Sequence, residues 1–192
     1  MAAQKFKILR HDSYRRMPWK NGGGETVEIA VSPEGAGLAE FDWRVSMATV
    51  ATDGPFSVFP GIDRTLSILD GEGMTLFIEG RAPERLTQES DPLPFAADAP
   101  TSATLIDGTI TDLNVMTRRG RFTHSVRRVS VDGNNDVAFE GGTSFVLCHR
   151  GDVDVGGIAL AAGDCLLIPD GDATRRPIVG KAQLFYIAIE AI

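Results

Sequence analysis

The sequence predicts an all-β protein, and three of its features lead to that prediction. Asn-Gly and Asp-Gly steps, which favour tight turns, recur along the chain from Asn21-Gly22 to Asp170-Gly171. Between them lie short segments rich in β-branched and aromatic residues, such as Thr65–Leu69 and Met74–Ile78. Few longer windows show the periodicity of a helix. Many short strands with closely spaced turns are typical of a β-sandwich or a β-barrel.

Local patterns predict the remaining elements. Further strands are expected at Phe41–Val50, Ala103–Ile106, Leu113–Thr117, Ser144–Cys148, Cys165–Ile168 and Leu184–Ile189. His11–Met17 and Pro83–Leu86 are each expected to form a short helical turn. Gln88–Thr101, which is rich in Pro, Ala and Asp, is expected to be a long surface loop.

Composition excludes several classes of function. The chain has 192 residues, 43% of them apolar and 23% charged, as in ordinary globular proteins. Its net charge of −7 disfavours a nucleic acid or an anionic membrane as a partner. Cys148 and Cys165 form neither a disulfide framework nor a CxxC pair. With no long apolar run and no signal-type segment at residues 1–16, we expect a cytoplasmic protein.

The segment Gly163–Thr174 resembles the second motif of cupin barrels. Its spacing, Gly-x5-Pro-x-Gly, ends at Gly171, and in cupins a histidine three residues later usually binds a metal. Here that position is Thr174. The first cupin motif would place an acidic metal ligand seven residues before Gly71, and that position is Arg64. If the chain is a cupin, its metal ligands are replaced, and we expect neither a metal nor another cofactor.

Histidine content leads to the same expectation. The chain has only three histidines, His11, His124 and His149, and no two of them are close in sequence. The His-x-His of the first cupin motif would fall around Phe59, where the sequence has no histidine. Since zinc and similar metals need several imidazole or thiolate ligands, a metal site is not expected.

Three long blocks resemble the HutD family. They are PWKNGGGETVEIAVSP (residues 18–33), FDWRVSMATVATDGPFSVFPGIDRTLSILDGEG (residues 41–73) and DLNVMTRRG (residues 112–120). The resemblance implies a bicupin, with a first barrel at residues 1–125, including an N-terminal loop, and a second, reduced barrel at 126–192. It also implies an association with histidine utilisation, as a regulator or metabolite binder.

Two arginines are candidate ligand-binding residues. Arg64 begins an apolar strand, where its planar guanidinium suits a carboxylate. The alternative is an internal ion pair with Asp63 or with Glu25 or Glu28. Arg44 and Ser46 share one strand face, which either lines the pocket or meets solvent. We include Phe59 and Asp63, which shortly precede Arg64 in the sequence, in the predicted site.

Asn114 and the glycine-rich stretch Pro18–Glu25 complete the predicted site. The Asn114 carboxamide could orient a ligand, or it could be a satisfied residue at a strand end. The stretch cannot be a phosphate-binding loop, because Lys20 precedes the glycines and a strand pattern follows them. Either it covers the barrel mouth with Lys20 and Asn21, or it is a structural hairpin.

No catalytic constellation is recognisable. Five arginines fall between Arg118 and Arg128, and we expect a solvated face or salt bridges there rather than nucleic-acid binding. His124 and Ser125 would face opposite sides of a strand, and there is no GxSxG elbow. The basic residues predict a metal-independent binder of a small carboxylate. The resemblance to the HutD family implies that it senses or sequesters an intermediate of histidine breakdown, such as urocanate or N-formylglutamate. The alternatives are a metal-independent enzyme acting on the same acids and a scaffold that forms a homodimer.

Overall fold

The computed structural model describes residues 6–139, 142–170 and 175–192, and it is built almost entirely from β-strands. In chain order the strands are β1 (Lys7–Leu9), β2 (Arg15–Pro18), β3 (Gly24–Ser32), β4 (Trp43–Val50), β5 (Gly54–Pro55), β6 (Ile62–Asp70), β7 (Met74–Ile78), β8 (Glu84–Leu86), β9 (Leu93–Ala96), β10 (Thr101–Leu105), β11 (Ile110–Arg118), β12 (Phe122–Ala138), β13 (Thr143–Val155), β14 (Ile158–Leu160), β15 (Cys165–Ile168) and β16 (Arg175–Ala191). Within those ranges the one helical element is a 3-10 turn at His11–Ser13. The predicted all-β class is confirmed.

The chain divides into two compact units. One comprises Arg15–Thr123 with Ile192, and the other combines His124–Ala191 with the segment up to Tyr14. The sequence prediction assigns the whole N-terminus to the first barrel, and the structure places the part before β2 in the second unit. The reason is a set of hydrogen bonds. The Asp164 carboxylate accepts from the Arg10 side chain (2.6 Å) and from the His11 backbone N–H (3.1 Å), and the Tyr14 hydroxyl donates to the Gly163 carbonyl (2.8 Å).

The unit Arg15–Thr123, called here the first barrel, contains two sheets that are cupin-like but do not close into a barrel. The larger has the strand order β2-β3-β4-β11-β6-β9, and the smaller has the order β5-β10-β7-β8. Apolar side chains from both sheets pack into one cluster, which comprises Ala48, Val50, Leu66, Ile68, Met74, Leu76, Ile78, Leu86, Phe95, Ala103 and Ile110. A second, smaller cluster contains Phe41, Ile62, Ala97 and Met116.

The second unit is built on a sheet with the order β1-β15-β13-β16-β12, in which β14 also pairs with β13. Its core includes Val146, Leu166, Leu184 and Tyr186. Cys148 and Cys165 are buried, free thiols. Burial raises the pKa of Cys148 to about 11, so this thiol has little thiolate character at neutral pH. Gly171 and Thr174 of the cupin-like motif lie outside the described residues.

Two local predictions are wrong. The expected helical turn at Pro83–Leu86 is strand β8, which pairs with β7 and buries Leu86. The expected loop Gln88–Thr101 contains β9, which pairs with β6 and buries Phe95. Prolines on either side of Leu93 are typical of a loop, so the sequence pattern does not predict this strand. The structure tolerates them because β9 is an edge strand, where a missing N–H breaks no ladder.

Candidate functional site

The glycine-rich stretch Pro18–Glu25 is a tight hairpin between β2 and β3. The Gly22 N–H donates to the Trp19 carbonyl (3.0 Å), and the Trp19 N–H donates to the Gly24 carbonyl (2.9 Å). Gly22 has a φ of +72°, which favours glycine. At Gly24 an added Cβ would overlap the backbone oxygen of Thr49, so glycine allows the strands to approach. These contacts account for the glycines structurally, and Lys20 and Asn21 are exposed in the turn.

The interior of the first barrel contains a layer of polar side chains between its two apolar clusters. On β4, Arg44 and Ser46 share the face of Ala48 and Val50, which belong to the larger cluster. On β6, Arg64 shares the face of Leu66. The third strand, β11, lies between these two and contributes Asp112 and Asn114. We call these side chains, together with Glu28 on β3, the polar layer.

Strand register defines how the polar layer is arranged. Met116 of β11 is opposite Arg44 on one side and Arg64 on the other. Asn114 is opposite Ser46, two residues further along β11. The two arginines therefore lie on either side of Met116 of the central strand. Asn114 and Asp112 are two and four residues before Met116 on the same face of that strand.

Arg64 is the least satisfied member of the polar layer. It is only 5% exposed, its Nε is buried without a hydrogen-bond partner, and Nη2 makes a long bond (3.4 Å) to the Ser57 carbonyl. The rings of Phe56, Phe59 and Phe95 surround the guanidinium with centroids 5.3, 5.4 and 5.8 Å from Cζ. Burial lowers the pKa of Arg64 to about 10, a change that Asp112 opposes and Arg44 reinforces. Even so, Arg64 is a cation at neutral pH.

Arg44, in contrast, has a dedicated partner. Its Nε donates to the Glu28 carboxylate (2.8 Å), and the two side chains are 6% and 11% exposed. Arg44 thus faces the barrel interior, which the sequence left open. The sequence analysis gives Glu28 as an alternative partner of Arg64. Strand register explains why it pairs with Arg44 instead: Glu28 is opposite Ser46, which lies two residues from Arg44 on the same face of β4.

Asp112 is a member of the polar layer that sequence reasoning misses as a site residue. It is 1% exposed and accepts a hydrogen bond from the Asn114 amide, which lies two residues away on the same strand face. Burial raises the pKa of Asp112 to about 7, although Arg64 and the Asn114 hydrogen bond both act to lower it. The alternation of Asp112 with Asn114 is the one sequence signal that could have identified it.

The predicted site residues therefore divide into two groups. Arg44, Ser46, Arg64 and Asn114 belong to the polar layer, and Phe59 packs near Arg64. The other three lie elsewhere: Lys20 and Asn21 are exposed in the hairpin, and Asp63 points to the opposite face of β6.

Asp63 and the arginine run pair with each other instead of with a ligand. The Arg119 guanidinium donates to Asp63 (2.9 Å) and, with two nitrogens, to Asp98. Arg121 pairs with Asp42. The salt bridges expected for this run are thus present, and Asp63 is not the partner of Arg64.

The polar layer does not resemble a metal centre. Among the residues that the structure describes, no three or more His, Cys, Asp or Glu side chains converge where a metal ion could bind. At the position that corresponds to the acidic ligand of a cupin, Arg64 presents a cation, which repels a metal ion. The donor set suits an anion better than a cation.

A shallow groove in the second unit has about 420 Å³ of space and is lined by Arg10, Asp152 and Asp154, among others. Its arginine is already bonded to Asp164 (2.6 Å), which explains its position structurally. No helix in the described ranges is both long and apolar enough to cross a membrane.

Fold and interior together define a cupin-fold protein with a charged layer enclosed in its first barrel. The cupin 2 conserved barrel domain protein from Leptotrichia buccalis has the same fold, with a TM-score of 0.57 at 12% identity, covering 87% of this chain and 89% of that one. At that identity the likeness shows the fold alone.

More similar proteins define the family. The HutD family model matches residues 11–186, and the chain belongs to this family. It is 33% identical to HutD from Pseudomonas fluorescens SBW25, with a TM-score of 0.84, covering 97% of this chain and 99% of that structure. It is 36% identical to Protein Ves from Citrobacter koseri, covering 94% of each chain. It is 33% identical to an uncharacterised 21.2 kDa protein of the hutC 3′ region in Pseudomonas putida, covering 88% of this chain and 89% of that one.

Proposed function

We propose that the protein binds a small carboxylate in its first barrel without a metal and acts as a metabolite sensor in histidine utilisation. The single observation that supports this most is Arg64. It is a buried cation whose Nε has no partner among the described residues, framed by three phenyl rings. An arginine kept only for structure would be expected to have its donors satisfied, since burying an unpaired donor is costly. A ligand carboxylate would supply the missing acceptor in the bidentate geometry that guanidinium favours.

The surroundings narrow the class of ligand. The phenyl rings of Phe56, Phe59 and Phe95 suit an acid with a flat or apolar body, while Ser46 and Asn114 offer polar contacts nearby. Urocanate, a flat conjugated monocarboxylate, has such features, whereas N-formylglutamate, which has two carboxylates and a polar formamido group, matches only the contact with Arg64. The pathway assignment draws on relatives: one from Pseudomonas putida is named for the hutC region, and another is named HutD. That HutD structure was obtained in a formate condition, so formate is the simplest probe.

Thermal unfolding of the purified protein with formate, urocanate and N-formylglutamate tests the proposal. A ligand at one hundred times its Kd should stabilise the fold by about 2.7 kcal/mol, and EDTA should not remove the effect. Arg64→Lys keeps the charge but loses the planar fork, so we expect affinity to fall at least about tenfold. The matched control is Arg119→Lys, since Arg119 lies exposed with Asp63 and Asp98. Equal affinity in the wild type and Arg64→Lys would refute the site.

A metal-independent enzyme is the second candidate, and Asp112 favours it. A buried carboxyl group with a pKa of about 7 is suited to act as a general base at neutral pH. Incubating each acid with the protein and following it by NMR would separate the two functions. Product formation that Asp112→Asn abolishes would establish an enzyme, whereas binding without turnover supports the sensor.

A further inference from the structure

Asp112 faces the same interior as the anion-binding group and is not used by the proposed contact with Arg64. It lies on the central strand β11, one strand away from β6 and 1% exposed. Both side chains face the interior of the first barrel from adjacent strands. In their register Arg64 is opposite Met116 and Asp112 is opposite Ile68, with Asn114 at the level between them. The charge of each side chain acts on the pKa of the other. One Asp112 oxygen accepts a hydrogen bond from Asn114, which fixes the orientation of the carboxyl group.

The charged groups around Asp112 are few. β6 contributes Arg64, β4 contributes Arg44, and β3 contributes Glu28, which is engaged by Arg44. From the opposite sheet, Met74, Leu76, Ile78, Leu86 and Ala103 pack into this interior. On the same strand faces lie Thr101, which is buried and neutral, and Glu84, which is partly exposed at the start of β8. Of these charged groups, Arg64 is the one whose charge acts directly on Asp112, and it is also the group that would bind the ligand.

A carboxylate that reaches Arg64 would therefore bring a second negative charge next to Asp112. Two carboxylates that share one buried cation cannot both stay ionised at little cost, so one of the pair takes up a proton. The ligand carboxylate is paired directly with Arg64, which favours its ionised form, whereas burial favours the neutral form of Asp112. The proton would go to Asp112.

We propose that Asp112 is a ligand-binding residue that acts in its protonated form, its carboxyl O–H donating a hydrogen bond to the carboxylate held by Arg64. This inference rests on the proposed binding function. It assigns the site to the anion of a small acid bound together with one proton. Affinity then depends on pH although the ligand itself does not titrate near neutrality.

The direction of the pH dependence follows from linkage. In the free protein the pKa of Asp112 is raised to about 7 by burial. Below that pH the group already holds its proton, and the Kd for formate should be nearly constant. Above it, binding must recruit a proton, so Kd should rise towards about tenfold per pH unit. Calorimetry at pH 8 in two buffers of different ionisation enthalpy should detect uptake approaching one proton per formate bound.

Asp112→Asn gives a variant test, because its amide N–H can donate without titrating. We expect its Kd for formate to be independent of pH and its proton uptake to be zero. Asp63→Asn is the control: it removes an exposed carboxylate on the other face of β6 and should keep the wild-type pH slope.

The outcomes are distinguishable. Formate binding by the wild type without proton uptake would overturn this inference and leave the proposed function standing. A Kd for formate that still rises with pH in Asp112→Asn would have the same two consequences. A wild type that binds none of the three acids at pH 6 would overturn both. If Asp112→Asn does not fold, the number of protons taken up when the wild type binds formate still tests the inference.

Discussion

Replacing Arg64 by methionine should abolish carboxylate binding while leaving the free protein at least as stable as the wild type. Methionine has a similar length, and the rings of Phe56, Phe59 and Phe95 form an apolar frame that accepts it. A residue that serves a ligand, not the fold, should behave in this way, because binding sites are commonly kept at a cost in stability.

The magnitude follows from the contacts of Arg64. The substitution loses cation–π attraction to the rings, about 1–2 kcal/mol in total for a buried site. At pH 6 it loses little attraction to Asp112, since that carboxyl group, with a pKa of about 7, is mostly protonated. Two penalties of the wild type are relieved. The unpaired Nε donor destabilises the folded state by about 1–3 kcal/mol, and the desolvation of the guanidinium destabilises it by several kcal/mol. The expected net change is a gain of at least about 1 kcal/mol.

Urea denaturation at pH 6 with both proteins free of ligand measures this change directly. Unfolding with formate present then measures the loss of binding on the same samples. Arg44→Met is the contrasting variant: Arg44 has a paired Nε, and its removal leaves Glu28 buried without a partner. It should lose about 3 kcal/mol. If Arg64→Met were destabilised by more than about 2 kcal/mol, Arg64 would be a structural residue and the reasoning would fail.

Three further substitutions test individual contacts. Glu28→Gln leaves Arg44 buried without its carboxylate, and the free energy of unfolding should fall by about 3 kcal/mol in urea denaturation. Gly24→Ala forces a methyl group against the neighbouring strand and should cost about 2 kcal/mol or more, visible as a lower Tm. The Arg119 hydrogen bond lowers the pKa of Asp98 to about 2. Asp98→Asn should therefore lose less than about 1 kcal/mol at pH 6, because the pair is exposed, and the difference should vanish as the pH falls towards 2.

The substitutions at Glu28 and Gly24 each have a matched control. Glu25→Gln removes a partly exposed partner of Arg16 and should change stability by less than about 1 kcal/mol. Gly37→Ala adds a methyl group in open space and should be nearly neutral. A Glu28→Gln variant as stable as Glu25→Gln, or a tolerated Gly24→Ala, would contradict the packing described for the first barrel.

Most of the fold is readable from the sequence, because turn chemistry and period-2 patterning are local signals. Met74–Ile78 and Cys165–Ile168 are predicted with the bounds that the structure shows. The failures have local causes too. At β9 the prolines mask the alternation of Leu93 and Phe95, and only pairing with β6 explains why an extended segment is stable there. The docking of Arg10 and His11 on Asp164 joins positions more than 150 residues apart, which no local pattern reveals.

The site is readable only in part, and the reason is register. Alternation places Arg44 with Ser46 and Asp112 with Asn114, but it does not say which face is buried. Whether Arg64 pairs with Asp63, Glu28 or Asp112 depends on which strands are neighbours. Because β11 lies between β4 and β6, Asp112 comes under the influence of Arg64, while Asp63 turns away towards Arg119. Adjacent residues on a strand point to opposite sides, so the nearest carboxylate in sequence is the wrong partner.

The charges of the polar layer also restrict the ligand that it can accept. Arg44 and Arg64 contribute two positive charges, and Glu28 balances one of them. With Asp112 protonated, the layer keeps one positive charge, which a single carboxylate neutralises. With Asp112 ionised, the free layer is already neutral, and a bound anion would leave a buried negative charge without compensation. A dianion such as sulfate would leave one uncompensated negative charge when Asp112 is protonated and two when it is ionised. The layer should therefore prefer the monoanionic carboxylate of a small acid over a divalent inorganic anion, and the proton on Asp112 is the condition for that preference.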